Sequence, residues 1–273
     1  MGALQERKNV KIVAFIQMFN EVTKGNLERC LINCQQWADE IVIYDDASTD
    51  NSVEVAERYT KHIIRGEVNN FFEELAHKQR LLELALTLNP DWIMWVDCDE
   101  ILDRTGTLGG LRLLAEKGLK VDVDAYSFHE TNFWRSETYY RTDTLFDKGW
   151  FVRLWKVVPG MSLLVENGLH KVLHPQNIRE ENIIKSGIRV LHYGFADYDY
   201  CLKHIGAIPE HGWDKSTFRK LAPDNWILNE TKCLCHRVPV EWYPEENIPE
   251  DRWDKPKPRT IASLKSQEEL AEE

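Results

Sequence analysis

The sequence predicts an α/β fold, a parallel sheet with helices on both faces, and three observations predict it. Apolar strand-like runs alternate with amphipathic helical stretches over about the first 90 residues, the pattern of parallel strands joined by crossover helices. Three of those runs end in polar or acidic clusters. The third, DWIMWVDCDEIL at 91–102, sends five apolar residues straight into Asp97, Asp99 and Glu100. A short apolar run rich in aromatic and branched side chains suits a strand buried on both faces. Clustered carboxylates at its end repel one another and are costly to bury. A divalent cation relieves that clash at the carboxyl end of the strand, where open α/β sheets bind their ligands. Mg²⁺ and Mn²⁺ take oxygen ligands and bridge carboxylates to phosphates.

Taken in order, residues 11–16 (KIVAFI) form the first strand, which runs into the polar Gln17-Met18-Phe19-Asn20-Glu21. Residues 24–38 read as an amphipathic helix with Leu27, Cys30, Leu31, Cys34 and Ala38 at helical spacing. Residues 40–44 are the second strand, and it stops at DDASTDNS, a supply of turn residues and helix N-caps. A helix follows to about residue 61, then a short strand at 62–64. Residues 71–88 predict a longer helix with Phe72, Leu75, Ala76, Leu82, Ala85 and Leu86 inward, ended by Asn89-Pro90. In a parallel sheet the ends at 17–21, 45–48 and 97–100 emerge on one edge, which makes that edge the expected site. From 122 to 191 the chain turns aromatic-rich and strand-like (AYSFHETNFW, TYYRTD, GWFVRLWKVV, IRVLHYGF), the pattern of an antiparallel or mixed extension. Residues 198–221 read as a helix interrupted at Pro209 and Gly212, and from Glu241 the Pro- and charge-rich tail reads as an arm that becomes disordered near the C-terminus.

With 273 residues the chain can bury a sizeable core, and its 43% hydrophobic and 29% charged content is ordinary for a globular protein. A formal net charge of −11 argues against nucleic acid as the partner. No apolar run approaches the roughly 20 residues of a membrane helix. The opening MGALQERKNVKIVAFI lacks a secretory pattern, and Glu6 stands where a myristoylation signal wants Ser or Thr. The expectation is a cytoplasmic protein, free or peripheral at a membrane. Of six cysteines, Cys30 and Cys34 fall on the core face of a helix, and Cys233-x-Cys235-His236 lacks the second ligand pair of a zinc site. Reduced thiols are the default.

Together these segments resemble the family 2 glycosyltransferases of the GT-A fold. Four signatures carry the resemblance: Phe19-Asn20-Glu21; the run DEIVIYDDASTD from Asp39 to Asp50; Asp97-Cys98-Asp99-Glu100; and Arg153-Leu154-Trp155-Lys156 followed by His192-Tyr193-Gly194-Phe195. The first three span about residues 10 to 103 and are specific as an ordered set; the second half matches more loosely. The resemblance implies a Rossmann-like mixed central sheet flanked by helices, an aromatic-rich acceptor-side extension and a C-terminal arm. It divides the chain into a nucleotide-sugar-binding half at 1–103, an acceptor-side half of the same domain at 104–200, and a helical segment and tail at 201–273. It implies that Asp46 holds the nucleobase edge, that Gln17 and Phe19 line the same pocket, and that Lys78 meets the base or the diphosphate. Asp97 would hold the ribose or the metal's water shell, Asp99 the metal, and His192 would be a further metal ligand. The cofactor implied is Mn²⁺ or Mg²⁺. The donor is a nucleoside-diphosphate sugar of the UDP, GDP or dTDP type, and the acceptor a glycan, a lipid-linked glycan or a protein.

Family members typically invert the anomeric centre: an acceptor hydroxyl attacks as the diphosphate leaves, through an oxocarbenium-like transition state. That needs a general base. Many relatives carry an acid in the second half, often within a Glu-Asp or His-Glu pair; this chain reads Glu166-Asn167-Gly168-Leu169-His170-Lys171, with Lys171 where a His-Glu pair would put its acid. His170, Asp143 and Glu130 are therefore the candidate bases. Trp134, Tyr139, Tyr140, Trp150 and Trp155 are candidates to stack on an acceptor sugar or to pack the core. Two other classes compete. A sugar nucleotidyltransferase would carry a Gly-rich basic loop after the first strand, and none stands there. A non-catalytic nucleotide- or glycan-binding protein is favoured only by Lys171.

Overall fold

Strands β1 (Ile12–Met18), β2 (Glu40–Asp45), β3 (His62–Arg65) and β4 (Trp92–Trp95) run parallel, so their carboxyl ends share one edge. The computed structural model describes residues 10–134, 136–142, 149–163, 174–197 and 235–247. The expected helix at 198–221 and residues Asp143, His170 and Lys171 lie outside them. The remaining strands of the main sheet are β5 (Glu100–Leu102), β6 (Ala125–Asn132), β8 (Trp150–Lys156) and β9 (Ile183–His192), and a separate β7 (Tyr139–Arg141) pairs with β10 (Cys235–Arg237). The eight-stranded order is β3-β2-β1-β4-β8-β6-β9-β5. β8 is antiparallel to both β4 and β6, and β9 runs parallel to β6 and antiparallel to β5. The sheet is thus the mixed central sheet of a GT-A fold. The aromatic-rich second half supplies its interior strands instead of standing apart from it.

The two faces of β1 explain why that strand reads as an unbroken apolar run. Ile12, Ala14 and Ile16 pack with α1 (Leu27–Gln35), α2 (Ser52–Ala56) and α4 (Leu111–Gly118); Val13 and Phe15 pack with α3 (Glu74–Thr87) on the other side. Cys30 and Cys34 are fully buried in the first of these layers, as their helical spacing predicts. Trp92 and Trp155 have no exposed surface, and burying such a side chain contributes about 1.5–3 kcal/mol.

Three expectations change. α3 begins at Glu74, after a single tight turn at Phe71–Glu73, and Phe72 is half exposed instead of inward. β5 and α4 have no counterpart in the sequence reading, because β5 is only three residues long and α4 follows the glycine-broken turn Gly106–Gly110, where Gly109 has φ +93. The arm expected from Glu241 is docked over its described residues, 241–247, as is the stretch just before it. Val238 N–H donates to the Thr138 carbonyl at 2.9 Å, Trp242 lies under the Arg189 guanidinium at 4.1 Å, and Tyr243, fully buried, stacks on Phe133 and donates its hydroxyl hydrogen to the Glu137 carbonyl.

Gly118 closes α4 against the sheet: a Cβ there would lie 2.6 Å from Trp92 Cζ2 and 3.0 Å from the Tyr126 hydroxyl. We expect Gly118→Ala to cost about 1–3 kcal/mol through overpacking, read as a lower urea midpoint with unchanged slope. A wild-type midpoint would mean that α4 does not seat on Trp92.

Candidate active site at the carboxyl edge of the parallel strands

The loops after β1 and β2 are bonded to each other. Asn20 Oδ1 accepts from the Thr49 N–H at 2.8 Å and the Asp50 N–H at 3.2 Å, while the Asn20 N–H donates to Ser48 Oγ at 2.9 Å. Asp50 Oδ2 in turn accepts from the N–H and the hydroxyl of Thr23. Asn20 and Ala47 both take positive φ, +53 and +61. Asparagine tolerates that region; alanine does so at a cost of about 1–2 kcal/mol. The first two sequence signatures are therefore two halves of one hydrogen-bonded rim.

Behind this rim lies the expected base pocket. Asp46 is fully buried: its carboxylate accepts from Asn69 Nδ2 at 2.9 Å and the Asn70 N–H at 3.2 Å, with His77 Nδ1 at 3.6 Å. Burial pushes its carboxyl up and pushes His77 down, with each partner opposing the other's shift. His77 stacks on Tyr44 at 4.4 Å and meets Gln17 Nε2 at 3.4 Å. Gln17 Oε1 is buried without a partner, an acceptor left open in a pocket already lined by polar atoms. Phe19 follows β1 at the same edge, half-buried.

One residue further along α3, Lys78 is buried, bonded to Glu74 at 2.7 Å and 4.0 Å from Asp97. It links the pocket to the acids after β4. The chain reverses there: the Asp97 N–H donates to Glu100 Oε2 at 2.9 Å, and β5 pairs Glu100 with His192. Arg153, from β8, is buried and reaches three carboxylates: Glu100 at 2.5 Å, Glu130 at 3.3 Å and Asp97 at 3.5 Å. Burial opposes its charge, but Glu100, Asp97 and Glu130 hold Arg153 above its ordinary value. Burial also pushes the Glu100 carboxyl up, against the pull of Arg153.

Asp99 and His192 form the outer end of the cluster. His192 Nε2 and Asp99 Oδ2 are 3.2 Å apart. His192 Nδ1 lies 2.6 Å from Asn132 Oδ1 and 4.0 Å from Glu130. An amide oxygen only accepts, so Nδ1 carries a hydrogen, and Nε2 is the nitrogen that could bind a cation once it gives up the proton it shares with Asp99. Burial works against the imidazolium, but Asp99, Glu130 and Glu100 raise His192 from 6.5 to about 10. Asp99, despite its own burial, is drawn down to about 2 by His192. Gly194 leaves room beside both atoms: a Cβ there would sit 2.6 Å from His192 Nε2 and 2.9 Å from Asp99 Oδ2. A carboxylate oxygen and an imidazole nitrogen facing one gap suit Mn²⁺, with phosphate and water to complete its shell. Among the described residues no three of His, Cys, Asp or Glu converge as a closed metal cage. The fit is to a cation shared with a ligand.

Of the ten candidates, eight fall in described residues, and all eight lie along this one edge. Sequence reasoning gave no role to Arg153, His77, Trp95 or Gly194. A signal existed for His77, which directly precedes Lys78, but it does not lie on the apolar stripe expected for that helix. Among the proposed stacking aromatics, Trp155 and Trp134 are buried core, and Trp150 is 38% exposed with Lys185 over its ring. Phe151, 43% exposed and 5.5 Å from Arg153, borders the cluster instead.

A mixed sheet whose parallel strands end in bonded polar loops and a carboxylate cluster defines a GT-A protein. The profile of Glycosyl transferase family 2 matches residues 14–163, more than half of the chain, and the chain belongs to that family. Among solved structures it is similar to TarS 1–349 of S. aureus (17% identity, 47% of this chain and 36% of that one, TM-score 0.34). It is also similar to the mannosyltransferase PcManGT of Pyrobaculum calidifontis, in complex with GDP-Man and Mn²⁺ (17%, 45% and 36%, TM-score 0.36). A third likeness is to glucosyl-3-phosphoglycerate synthase of Mycobacterium tuberculosis, in complex with Mn²⁺ and UDP-glucose (15%, 44% and 44%, TM-score 0.31). The matched region spans less than half of each of these chains. No curated protein matches. No helix among the described residues is long and apolar enough to cross a membrane.

With His192 raised to about 10, a cation that binds Nε2 must displace a proton at any lower pH. Apparent Mn²⁺ affinity should therefore rise about tenfold per pH unit between roughly pH 6 and 9, measured by calorimetry. A flat profile would remove His192 from the ligand set.

Proposed function

We propose that this protein is an inverting glycosyltransferase that moves a sugar from a nucleoside-diphosphate donor to an acceptor hydroxyl. Family membership supports the donor class. The observation that carries the reading is the continuous line of groups from Gln17 and Asp46 through Lys78 and Asp97 to Asp99, Glu130 and His192 along one sheet edge. In this reading Gln17, Phe19 and Asp46 take the base, with the open Gln17 Oε1 accepting from one of its N–H groups. Asp46 is reached once Asn69 and Asn70 give way, and its buried carboxylate then exchanges one set of N–H donors for another. Lys78 faces the diphosphate and Asp97 the ribose side. In this reading residues 1–103 supply the base pocket, Lys78, Asp97 and Asp99, and 104–200 supply the base Glu130 together with Arg153 and His192.

Asp99 and His192 are the residues to hold Mn²⁺ or Mg²⁺, which when bound neutralises charge on a departing diphosphate. Glu130 is our choice of base. Its carboxylate is 16% exposed, so one side faces solvent, while Arg153 at 3.3 Å and His192 at 4.0 Å fix it from behind. It takes the proton of the acceptor hydroxyl as that oxygen attacks the anomeric carbon. Asp143 and His170 are the rivals for this role. Phe151 beside the cluster offers an apolar face to an incoming sugar.

The test is a screen of UDP-, GDP- and dTDP-sugars with Mn²⁺ and an acceptor panel, reading nucleoside diphosphate release. With the donor found, Glu130→Gln should lower kcat by about 10²- to 10⁴-fold and leave donor affinity unchanged. An unaltered rate would pass the role to Asp143 or His170. Binding without turnover of any donor would favour a non-catalytic member.

A further inference from the structure

Trp95 ends β4 and reads in the sequence as one more core residue. It is 6% exposed, yet none of its polar or π surface is idle. Its indole N–H donates to Asp97 Oδ1 at 3.0 Å. Lys78 Nζ lies 4.0 Å from its ring centre and Arg153 Cζ 3.9 Å. Trp92, on the same strand, makes the contrast: its indole N–H is buried without a partner, and it serves as packing alone.

We propose that Trp95 is a positioning residue of this site: its N–H orients Asp97, and its ring seats Lys78 and Arg153 as a preset pair of cations beside the donor diphosphate. The diphosphate part rests on the transferase reading above. The physical case begins with the two cations. Both are buried, and like charges in a low-dielectric setting repel strongly. An indole attracts each through its quadrupole, so one ring adds a shared seat to the carboxylates each already meets, Glu74 for Lys78 and Glu100 for Arg153. Asp97 has its own need. One oxygen faces Arg153 at 3.5 Å and the other Lys78 at 4.0 Å, and two long contacts leave a 40% exposed carboxylate free to turn. The indole N–H fixes the other oxygen. Indole is a donor only, so this contact cannot be exchanged for one that competes with Asp97 for a cation. Preset dipoles and charges of this kind need not reorganise when an anion arrives.

Trp95→Phe keeps a ring for the cations and removes the N–H; Trp95→Leu removes both. In the ¹⁵N-labelled full chain, the indole signal of Trp95 is identified by its loss in Trp95→Phe. It should shift upfield in Asp97→Ala, and an unmoved signal would overturn the Asp97 contact. In calorimetric titrations with UDP and with GDP, each plus Mn²⁺, Trp95→Phe should weaken the nucleotide that binds wild type about tenfold, the worth of one hydrogen bond to a charged group. Its melting temperature should stay within about 3 °C of wild type. Trp95→Leu should weaken binding further. Wild-type affinity in Trp95→Phe would overturn the orienting role, and equal affinity in the two variants would overturn the seating of the cations. If wild type bound neither nucleotide, the UDP- and GDP-sugar reading would fail and take this diphosphate test with it. The indole shift would still decide the Asp97 contact on its own.

Discussion

The buried guanidinium of Arg153 is the interaction on which this edge depends. Asp97 and Glu100 from the turn after β4 and Glu130 from β6 converge within 3.5 Å of it. Without a cation among them, burial and mutual repulsion would drive these carboxyls to take up protons or to separate. Either outcome would open the turn after β4, because Glu100 also accepts the Asp97 N–H. Arg153 is carried on a strand antiparallel to β4, with its neighbour Leu154 in register with Met94. The pairing of β8 with β4 therefore places the cation, and the fold and the charge balance are one arrangement.

Much of the edge formed by the ends of β1, β2 and β4 could be read from the sequence because it is local. The strand ends at Gln17, Asp46 and Asp97 follow apolar runs that must be buried on both faces, and parallel strands have no choice but to deliver their ends to one edge. Asn20 bonding to Thr49 and Asp50 explains why the first two signatures occur as a set. The outer end of the cluster was harder. Asp99 and His192 meet across 93 residues of chain, and nothing in periodicity forecasts the register that pairs Glu100 with His192. The family resemblance suggested that meeting; the residues alone did not.

What stayed illegible has physical causes. Phe72 reads as inward because apolar residues usually are, but it falls in the turn before α3 and misses that helix's stripe. His77 and Lys78 are inward although polar, because their partners Asp46, Glu74 and Asp97 come from elsewhere. Trp95 looks like core because its polar contact lies two residues on. In each case a tertiary partner overrules the side chain's usual preference, and single-sequence patterns carry no record of such partners.

The docked stretch from 235 to 247 ties the tail to the chemistry. Tyr243 packs on Phe133, Phe133 packs edge-on against Tyr193, and Tyr193 follows His192 and donates its N–H to the Asp99 carbonyl at 2.7 Å. Two aromatic rings are thus all that stand between that stretch and the histidine–aspartate pair. Removing it would bare a greasy flank of the sheet and slacken the backbone that carries His192. What looks like a dispensable extension is the back wall of the Asp99–His192 pair.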